Sequence, residues 1–83
     1  MSLKATWEKV LEYASSPKQG TLSRKLRKGV KLQINGSDIF ENSLLFLGED
    51  FIRISDQSKS EIINAYYDWN SIGSIKTIST SDD

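Results

Sequence analysis

The sequence of 83 residues contains no cysteine and no histidine. Without cysteine there are no disulfides, thiolate ligands or thiol nucleophiles, and a small domain that lacks disulfides fits a cytosolic setting better than a secreted one. Without histidine the chain lacks the commonest general base and the commonest zinc ligand. These absences exclude catalytic triads and His/Cys metal sites, and we expect neither a metal nor a cofactor.

Long apolar segments are also missing. The longest uninterrupted apolar run covers residues 44–47, whereas a helix needs about 20 apolar residues to cross a bilayer. The N-terminus has no apolar core of the kind that signal peptides carry. We therefore expect a cytoplasmic protein that makes no membrane contact. With 37% hydrophobic and 27% charged residues and a single proline, the composition is that of a folded globular domain.

Acidic residues are absent from one continuous part of the chain. The formal net charge is zero, but no Asp or Glu lies between Tyr13 and Ser37. Six of the eleven basic residues fall within this stretch: Lys18, Arg24, Lys25, Arg27, Lys28 and Lys31. One part of the molecule can thus present a positive surface although the total charge is neutral. This segment is either a solvated face or a phosphate-contacting surface, for which we select Arg24, Lys25 and Lys28.

The N-terminal segment has helical periodicity. Apolar residues recur at spacings of three and four over residues 3–14, which predicts an amphipathic helix that ends at Ser15-Ser16-Pro17. Residues 18–20 read as a linker. Residues 21–28 fit two interpretations: a short second helix that Thr21 caps and Gly29 ends, or an extended lead-in to the first strand.

After Gly29 the period changes to two. Val30–Ile34 alternates apolar and polar residues and ends at the turn pair Asn35-Gly36. Further strands are predicted over residues 38–47, 51–55, 61–69 and 75–79. The run at residues 44–47 is apolar on both faces, so we expect the core to cover one face and the helix or another subunit to cover the other.

This order of elements predicts a mainly-β fold, in which an N-terminal α-helix precedes a five-stranded, strongly bent antiparallel small barrel of the Sm-like or SH3-like kind. We divide the chain into a helix with a basic connecting segment (residues 1–28), the barrel (29–79) and a tail (80–83).

Several local residues resemble the Sm/LSm family of RNA-binding barrels, and in particular its bacterial Hfq-like branch. The resemblance covers residues 29–78. The residues similar to the family's first motif are Val30, Leu32, Ile34, Gly36, Leu45 and Glu49-Asp50-Phe51; those similar to the second are Trp69-Asn70, Ile72 and Ile75. Members of this family form rings in which the fourth and fifth strands of neighbouring subunits pair.

The resemblance implies a site as well as a fold. Phe51 would be the residue on which a base stacks, Asp50 its polar neighbour, and Trp69 and Asn70 the turn residues that close the pocket. Alternation along the strand also directs Phe51 away from the barrel interior, on the same side as Arg53. Packing roles for Phe51 and Trp69, a turn role for Asn70, and an ion pair of Arg53 with Glu49 or Asp68 are the alternatives.

We therefore expect a ring-forming, non-catalytic protein that binds single-stranded RNA, or DNA, with a role in RNA or DNA processing. The alternative is a protein-interaction or assembly module built on an SH3-like barrel, whose exposed face at residues 44–47 and strand edges pair with a second copy or with another protein. Glu49 and Asp50 are adjacent in an extended segment and point apart, which does not suit a general acid and base pair. We expect no enzymatic activity and no small-molecule substrate.

Overall fold

The computed structural model of this protein describes residues 3–58 and 60–79. The fold is mainly β, with an N-terminal helix followed by antiparallel strands. This confirms the predicted fold class in its main outline. The predicted tail lies outside the described residues.

The N-terminal helix α1 (Leu3–Ala14) has the predicted bounds. Its apolar stripe faces the interior, where Leu11 and Ala14 are fully buried. Trp7 packs against the same core, and its indole N–H donates to the carbonyl of Ile72 over 3.2 Å. Because this bond joins residues at opposite ends of the chain, it fixes the helix against the C-terminal part of the domain.

Residues 21–28 contain no helix and include a strand at Arg24–Leu26, which decides between the two interpretations of this segment. Strand β1 (Ser15–Pro17) follows the helix directly and pairs with β2 (Arg24–Leu26). Thr21 does not cap a helix; its hydroxyl donates to the carbonyl of Lys18 within the loop that joins the two strands. The basic connecting segment is therefore a β-hairpin, and Leu26 at its end is part of the core.

Eight short strands form two antiparallel sheets within the described residues. The five-stranded sheet has the order β1-β2-β5-β6-β7, and the three-stranded sheet has the order β4-β3-β8. The remaining strands are β3 (Val30–Ile34), β4 (Ile39–Phe40), β5 (Ser43–Leu47), β6 (Phe51–Asp56), β7 (Ile63–Asp68) and β8 (Ile75–Ser79). A 3-10 turn, Trp69–Ser71, connects β7 to the last strand.

The predicted strand over residues 38–47 is interrupted at Glu41-Asn42. Asn42 adopts a φ of 51°, which lies in the left-handed region and cannot continue a strand. The chain therefore leaves the three-stranded sheet after β4 and enters the five-stranded sheet at β5. One predicted strand becomes two short strands in different sheets.

The two sheets are not closed into a barrel, which corrects the predicted architecture. The β1–β2 hairpin explains why the strands pair in two separate sheets and not in the predicted closed barrel. Strand β5 pairs with β6 on one side and with β2 on the other, through Arg24 opposite Leu45 and Lys25 opposite Leu44. Since β2 occupies the second edge of β5, that edge is not available to β3, and no ladder joins the two sheets in the described part of the chain.

The core lies between the two sheets and the helix. Its fully or almost fully buried apolar residues are Leu11, Ala14, Leu26, Leu32, Ile34, Phe40, Leu45, Ile52, Ile54, Trp69 and Ile72. Phe40 of β4 meets Tyr67 of β7 edge to face, with ring centroids 6.4 Å apart, and so links the sheets. Burial raises the pKa of Tyr67, and the nearby Asp38 carboxylate adds to the increase.

The turn pair Asn35-Gly36 forms as predicted and also connects distant parts of the chain. Both residues have positive φ, at 57° and 67°, as the tight turn of a β-hairpin requires. The side-chain oxygen of Asn35 accepts from the backbone N–H groups of Gly73 and Ser74, over 2.7 and 3.3 Å, and its amide group donates to the carbonyl of Ser71 over 3.0 Å. Asn35 thus holds the loop that leads into β8.

We predict that Asn35→Ala lowers the free energy of unfolding by about 2 kcal/mol, because it removes these hydrogen bonds and places a Cβ without a polar partner at positive φ. Asn35→Gly removes the same bonds but tolerates the backbone conformation, so its loss should be smaller. Urea denaturation of both variants measures the difference. Equal losses would contradict the role of backbone conformation at this turn.

Candidate nucleic-acid interface

The five-stranded sheet has one face away from the core. Side chains alternate along each strand, so the neighbours of the buried residues Leu45, Ile52 and Ile54 point outward. Strand register places the outward residues side by side across β2, β5, β6 and β7. They are Lys25, Leu44, Phe46, Phe51, Arg53, Ser55, Asn64, Tyr66 and Asp68. We call this set the outer face.

Three aromatic rings lie together on the outer face. The ring centroid of Phe51 is 6.0 Å from that of Phe46 and 6.2 Å from that of Tyr66, with tilted planes. Phe51 is 38% exposed and Tyr66 is 61% exposed. These rings form a continuous aromatic patch with surface open to solvent.

Arg53 lies in the middle of the aromatic patch. Register places it between Phe46 and Tyr66, and its guanidinium is 5.3 Å from the Phe46 ring centroid, a cation–π distance. Its Nε is buried and has no hydrogen-bond acceptor within the described residues. Neither Glu49 nor Asp68 forms a salt bridge with it there. Arg53 is thus a cation surrounded by aromatic rings, without an acidic partner in this part of the chain.

The helix does not cover the outer face. It packs instead against β1, the 3-10 turn and β8. Of the two predicted covers for the apolar run at residues 44–47, the helix is therefore excluded in the described structure. Leu44 and Phe46 remain half-buried by their neighbours within the sheet.

Arg24 binds the end of the helix. Its Nε donates to the hydroxyl of Ser15 over 2.8 Å, and its terminal nitrogen donates to the carbonyls of Ser15 and Glu12. The Nε of Arg27 likewise donates to the carbonyl of Tyr13 over 2.9 Å. A positive charge at a helix C-terminus offsets the dipole and satisfies free carbonyls. These two arginines, which the sequence groups with the basic surface, thus have structural roles, although Arg27 also reaches the cavity described next.

Lys25 and Lys28 line a cavity of about 580 Å³ at the edge of the outer face. The remaining lining residues are Ser16, Leu26, Arg27, Gly29, Val30, Lys31, Glu41 and Asn42. The Nζ of Lys25 donates to the side-chain oxygen of Asn42 over 2.8 Å. Over residues 3–58 and 60–79 the one salt bridge is between Lys4 and Glu8. The lysines of this cavity therefore have no acidic partner in the described structure, and Lys25 belongs both to the cavity and to the outer face.

The other predicted pocket residues meet in a second, smaller cleft of about 280 Å³. Its lining consists of Lys4, Glu49, Asp50, Asp68, Trp69 and Asn70. Three carboxylates face one ammonium here, so the cleft disfavours phosphate. The carboxylate of Asp68 accepts from the backbone N–H of Asn70 over 2.8 Å and so caps the 3-10 turn.

Trp69 is a core residue. It is 3% exposed, and its indole N–H donates to the carbonyl of Gly48 over 3.0 Å. Because its faces are enclosed, it offers no surface on which a base could stack in this structure. The structure thus brings Asp50, Trp69 and Asn70 together as the resemblance implies, but it places Phe51 and Arg53 on the adjoining outer face.

Sequence reasoning did not select Phe46 and Tyr66 for the site. The run at residues 44–47 is apolar on both faces and residues 61–69 do not alternate regularly, so the sequence alone does not assign either residue to a face. The pairing that brings them beside Phe51 and Arg53 depends on strand register, which the predicted strand bounds did not specify.

The described residues contain neither a membrane-spanning helix nor a metal cluster. None of the helices there has the length and apolar character needed to span a bilayer. That part of the chain also contains no group of three or more acidic side chains placed to hold a metal ion.

Comparison of the chain with protein-family models, with curated proteins and with solved structures found no significant match. The comparisons therefore assign no family. The Sm-like resemblance stays a prediction.

We predict that Trp69→Phe lowers the free energy of unfolding by about 1–3 kcal/mol, because the carbonyl of Gly48 loses its buried donor. Tyr13→Phe is the matched control, since it alters an aromatic side chain that is 70% exposed on the helix. Thermal and urea denaturation measure both. Unchanged stability of Trp69→Phe would contradict the packing role of Trp69.

Proposed function

We propose that this protein binds single-stranded nucleic acid, without catalysis, on the outer face of its five-stranded sheet. Bases stack on Phe51 and the neighbouring rings, and phosphates contact Arg53, Lys25 and Lys28. RNA is the expected ligand because of the Sm-like resemblance, and the expected setting is RNA processing in the cytoplasm. The observation that carries the proposal is the aromatic patch around Arg53, which has no acidic partner in the described residues.

The chemistry of the outer face supports this ligand. Every nucleobase has a π-face, so aromatic side chains bind single strands with little sequence preference, and each stacked base contributes about 1–3 kcal/mol. Arginine adds stacking, cation–π and phosphate contacts. Phe51, Phe46 and Tyr66 provide the rings and Arg53 provides the cation within one surface.

The charge distribution favours one side of the outer face for the phosphate backbone of the bound nucleic acid. Lys25 and the cavity lie at the β2 side of the outer face, whereas Glu49, Asp50 and Asp68 lie beyond Phe51. Phosphates are attracted to the first side and repelled from the second. We therefore place the sugar-phosphate backbone of the nucleic acid toward β2, with its bases reaching the aromatic patch.

We predict that Phe51→Ala weakens binding of a labelled oligo-U about 5- to 150-fold, the factor that corresponds to the loss of one base stack. Tyr13→Ala is the matched control, since it removes an exposed ring from the helix. Fluorescence anisotropy measures both, after circular dichroism has shown that each variant is folded. Equal affinity of Phe51→Ala and the wild type would remove Phe51 from the site, and no binding by the folded wild type would refute the proposed function.

Salt dependence provides a second prediction. Each phosphate contact to a single strand contributes about 0.7 to the slope of log K against log salt concentration. The double variant Lys25→Ala/Lys28→Ala should reduce the slope by about 1.4. The control Lys9→Ala/Lys76→Ala removes the same charge from outside the cavity lining. If both double variants change the slope equally, these lysines act through net charge and do not contact the strand.

Assembly is the second candidate function, and free strand edges favour it. In the described residues β7 and β8 each lie at an outer edge of their sheets. If β4 and β5 are counted as one bent strand, β7 is the fourth strand and β8 the fifth of a five-strand path, the two that the resemblance expects to pair between subunits. Ile63 of β7 and Ile78 of β8 are 45% and 40% exposed. An exposed apolar edge is a template for strand addition.

We propose that these edges join copies of the chain into a ring. The double variant Ile63→Lys/Ile78→Lys should then be monomeric, because lysine on an edge strand opposes pairing. Leu22→Lys places one such change in a loop and should leave the assembly intact. Sedimentation velocity measures the state of each protein. A monomeric wild type would refute the ring, whereas a ring without nucleic-acid binding would favour the assembly module.

A further inference from the structure

The cavity beside Lys25 has a shape and charge that the outer face does not share. Its walls come from three separate segments: β1 supplies Ser16, residues 25–31 supply the basic side, and the β4–β5 link supplies Glu41 and Asn42. Its volume of about 580 Å³ lies within the range of about 300–1,000 Å³ that is usual for small-molecule pockets. It is therefore a concave site of molecular size at one end of a flat surface.

The lining is strongly positive. Four cationic side chains, those of Lys25, Arg27, Lys28 and Lys31, face the single carboxylate of Glu41. No salt bridge joins that carboxylate to any of the four in the described structure. The lining thus carries a formal charge of +3, which exceeds what one monoanionic phosphodiester would balance.

The rest of the lining suits a nucleotide. Leu26 and Val30 add apolar surface, against which a sugar or a base can pack. The turn beside them is closed by a bond of 3.0 Å from the Val30 N–H to the carbonyl of Arg27, and it places Gly29 at a φ of 83°. A Cβ at Gly29 would meet no atom within 4 Å, so the backbone of this turn is open to a ligand.

We infer that the cavity binds a terminal nucleotide through its phosphate monoester. Such a phosphate carries about −1.5 to −2 charges at pH 7, and it therefore matches the lining better than an internal phosphodiester does. The inference rests on the proposed function: a nucleic-acid strand that is bound on the outer face ends in the cavity, and Lys25 belongs to both surfaces. A free mononucleotide has the same chemistry, and the experiment separates the two sources.

The first arm of the test uses one oligo-U in three forms: with a 5′-phosphate, with a 3′-phosphate and with neither. The phosphate at one of the two ends, 5′ or 3′, should tighten binding by the wild type about tenfold, the usual effect of hydrogen bonds to a charged group. Lys31→Ala should abolish this gain. Lys76→Ala should retain it, because Lys76 is an exposed lysine of the adjacent strand β8 and does not line the cavity. No gain with either phosphate, or equal losses in the two variants, would overturn the inference.

The second arm detects the cavity without a strand. Uridine monophosphate should shift the backbone amide resonance of Gly29 in an NMR titration, whereas uridine should not, and Lys31→Ala should remove the shift. If oligo-U without a terminal phosphate fails to bind while uridine monophosphate shifts Gly29, the proposed strand binding is wrong and the cavity is a site for free nucleotides. If the strand binds but neither a terminal phosphate nor uridine monophosphate has an effect, the outer face stands and the cavity inference is wrong.

Discussion

The interruption at Glu41-Asn42 is the constraint on which the rest of the structure depends. Because Asn42 adopts a positive φ, β4 and β5 cannot form one continuous strand in a single sheet. The chain passes from the three-stranded sheet to the five-stranded sheet at this point, and the core fills the space between them. The same link supplies the Asn42 side chain that Lys25 binds, so the fold and one wall of the basic cavity have a common origin.

The N-terminal hairpin has two consequences for function. By pairing with β5 it occupies an edge that would otherwise be available to close the sheets, and it places Lys25 on the outer face. It also uses Arg24 and Arg27 to bind the carbonyls at the end of α1. The basic segment therefore contains two arginines that hold the helix, of which Arg27 also lines the cavity, and three lysines that line the cavity without an acidic partner in the described residues. Arg27 and these lysines are the cations placed to attract phosphate into the cavity.

The candidate site was partly visible in the sequence. Phe51 and Arg53 follow from alternation, because their neighbours Ile52 and Ile54 are apolar enough to identify the core side of the strand. Phe46 and Tyr66 required knowledge of which residues lie opposite one another, since a shift of one residue would turn each to the other face. Trp69, by contrast, was selected for the site from the sequence but belongs to the core. A tryptophan beside a turn can stack on a ligand or fill the core, and only the enclosure of its ring and its bond to Gly48 decide for the core.

Local chemistry by itself determined the helix over residues 3–14, the turn at Asn35-Gly36 and the mainly-β class, because periodicity and turn preference act between residues close in the chain. Residues 21–28 were ambiguous for the same reason: their short apolar pattern fits a helix or a strand, and pairing with β1 and β5 selects the strand. Only the tertiary structure decided the separation of the sheets, the aromatic patch and the basic cavity. Each depends on contacts between segments far apart in sequence, and the free energy of such contacts is set by register and packing rather than by local preference.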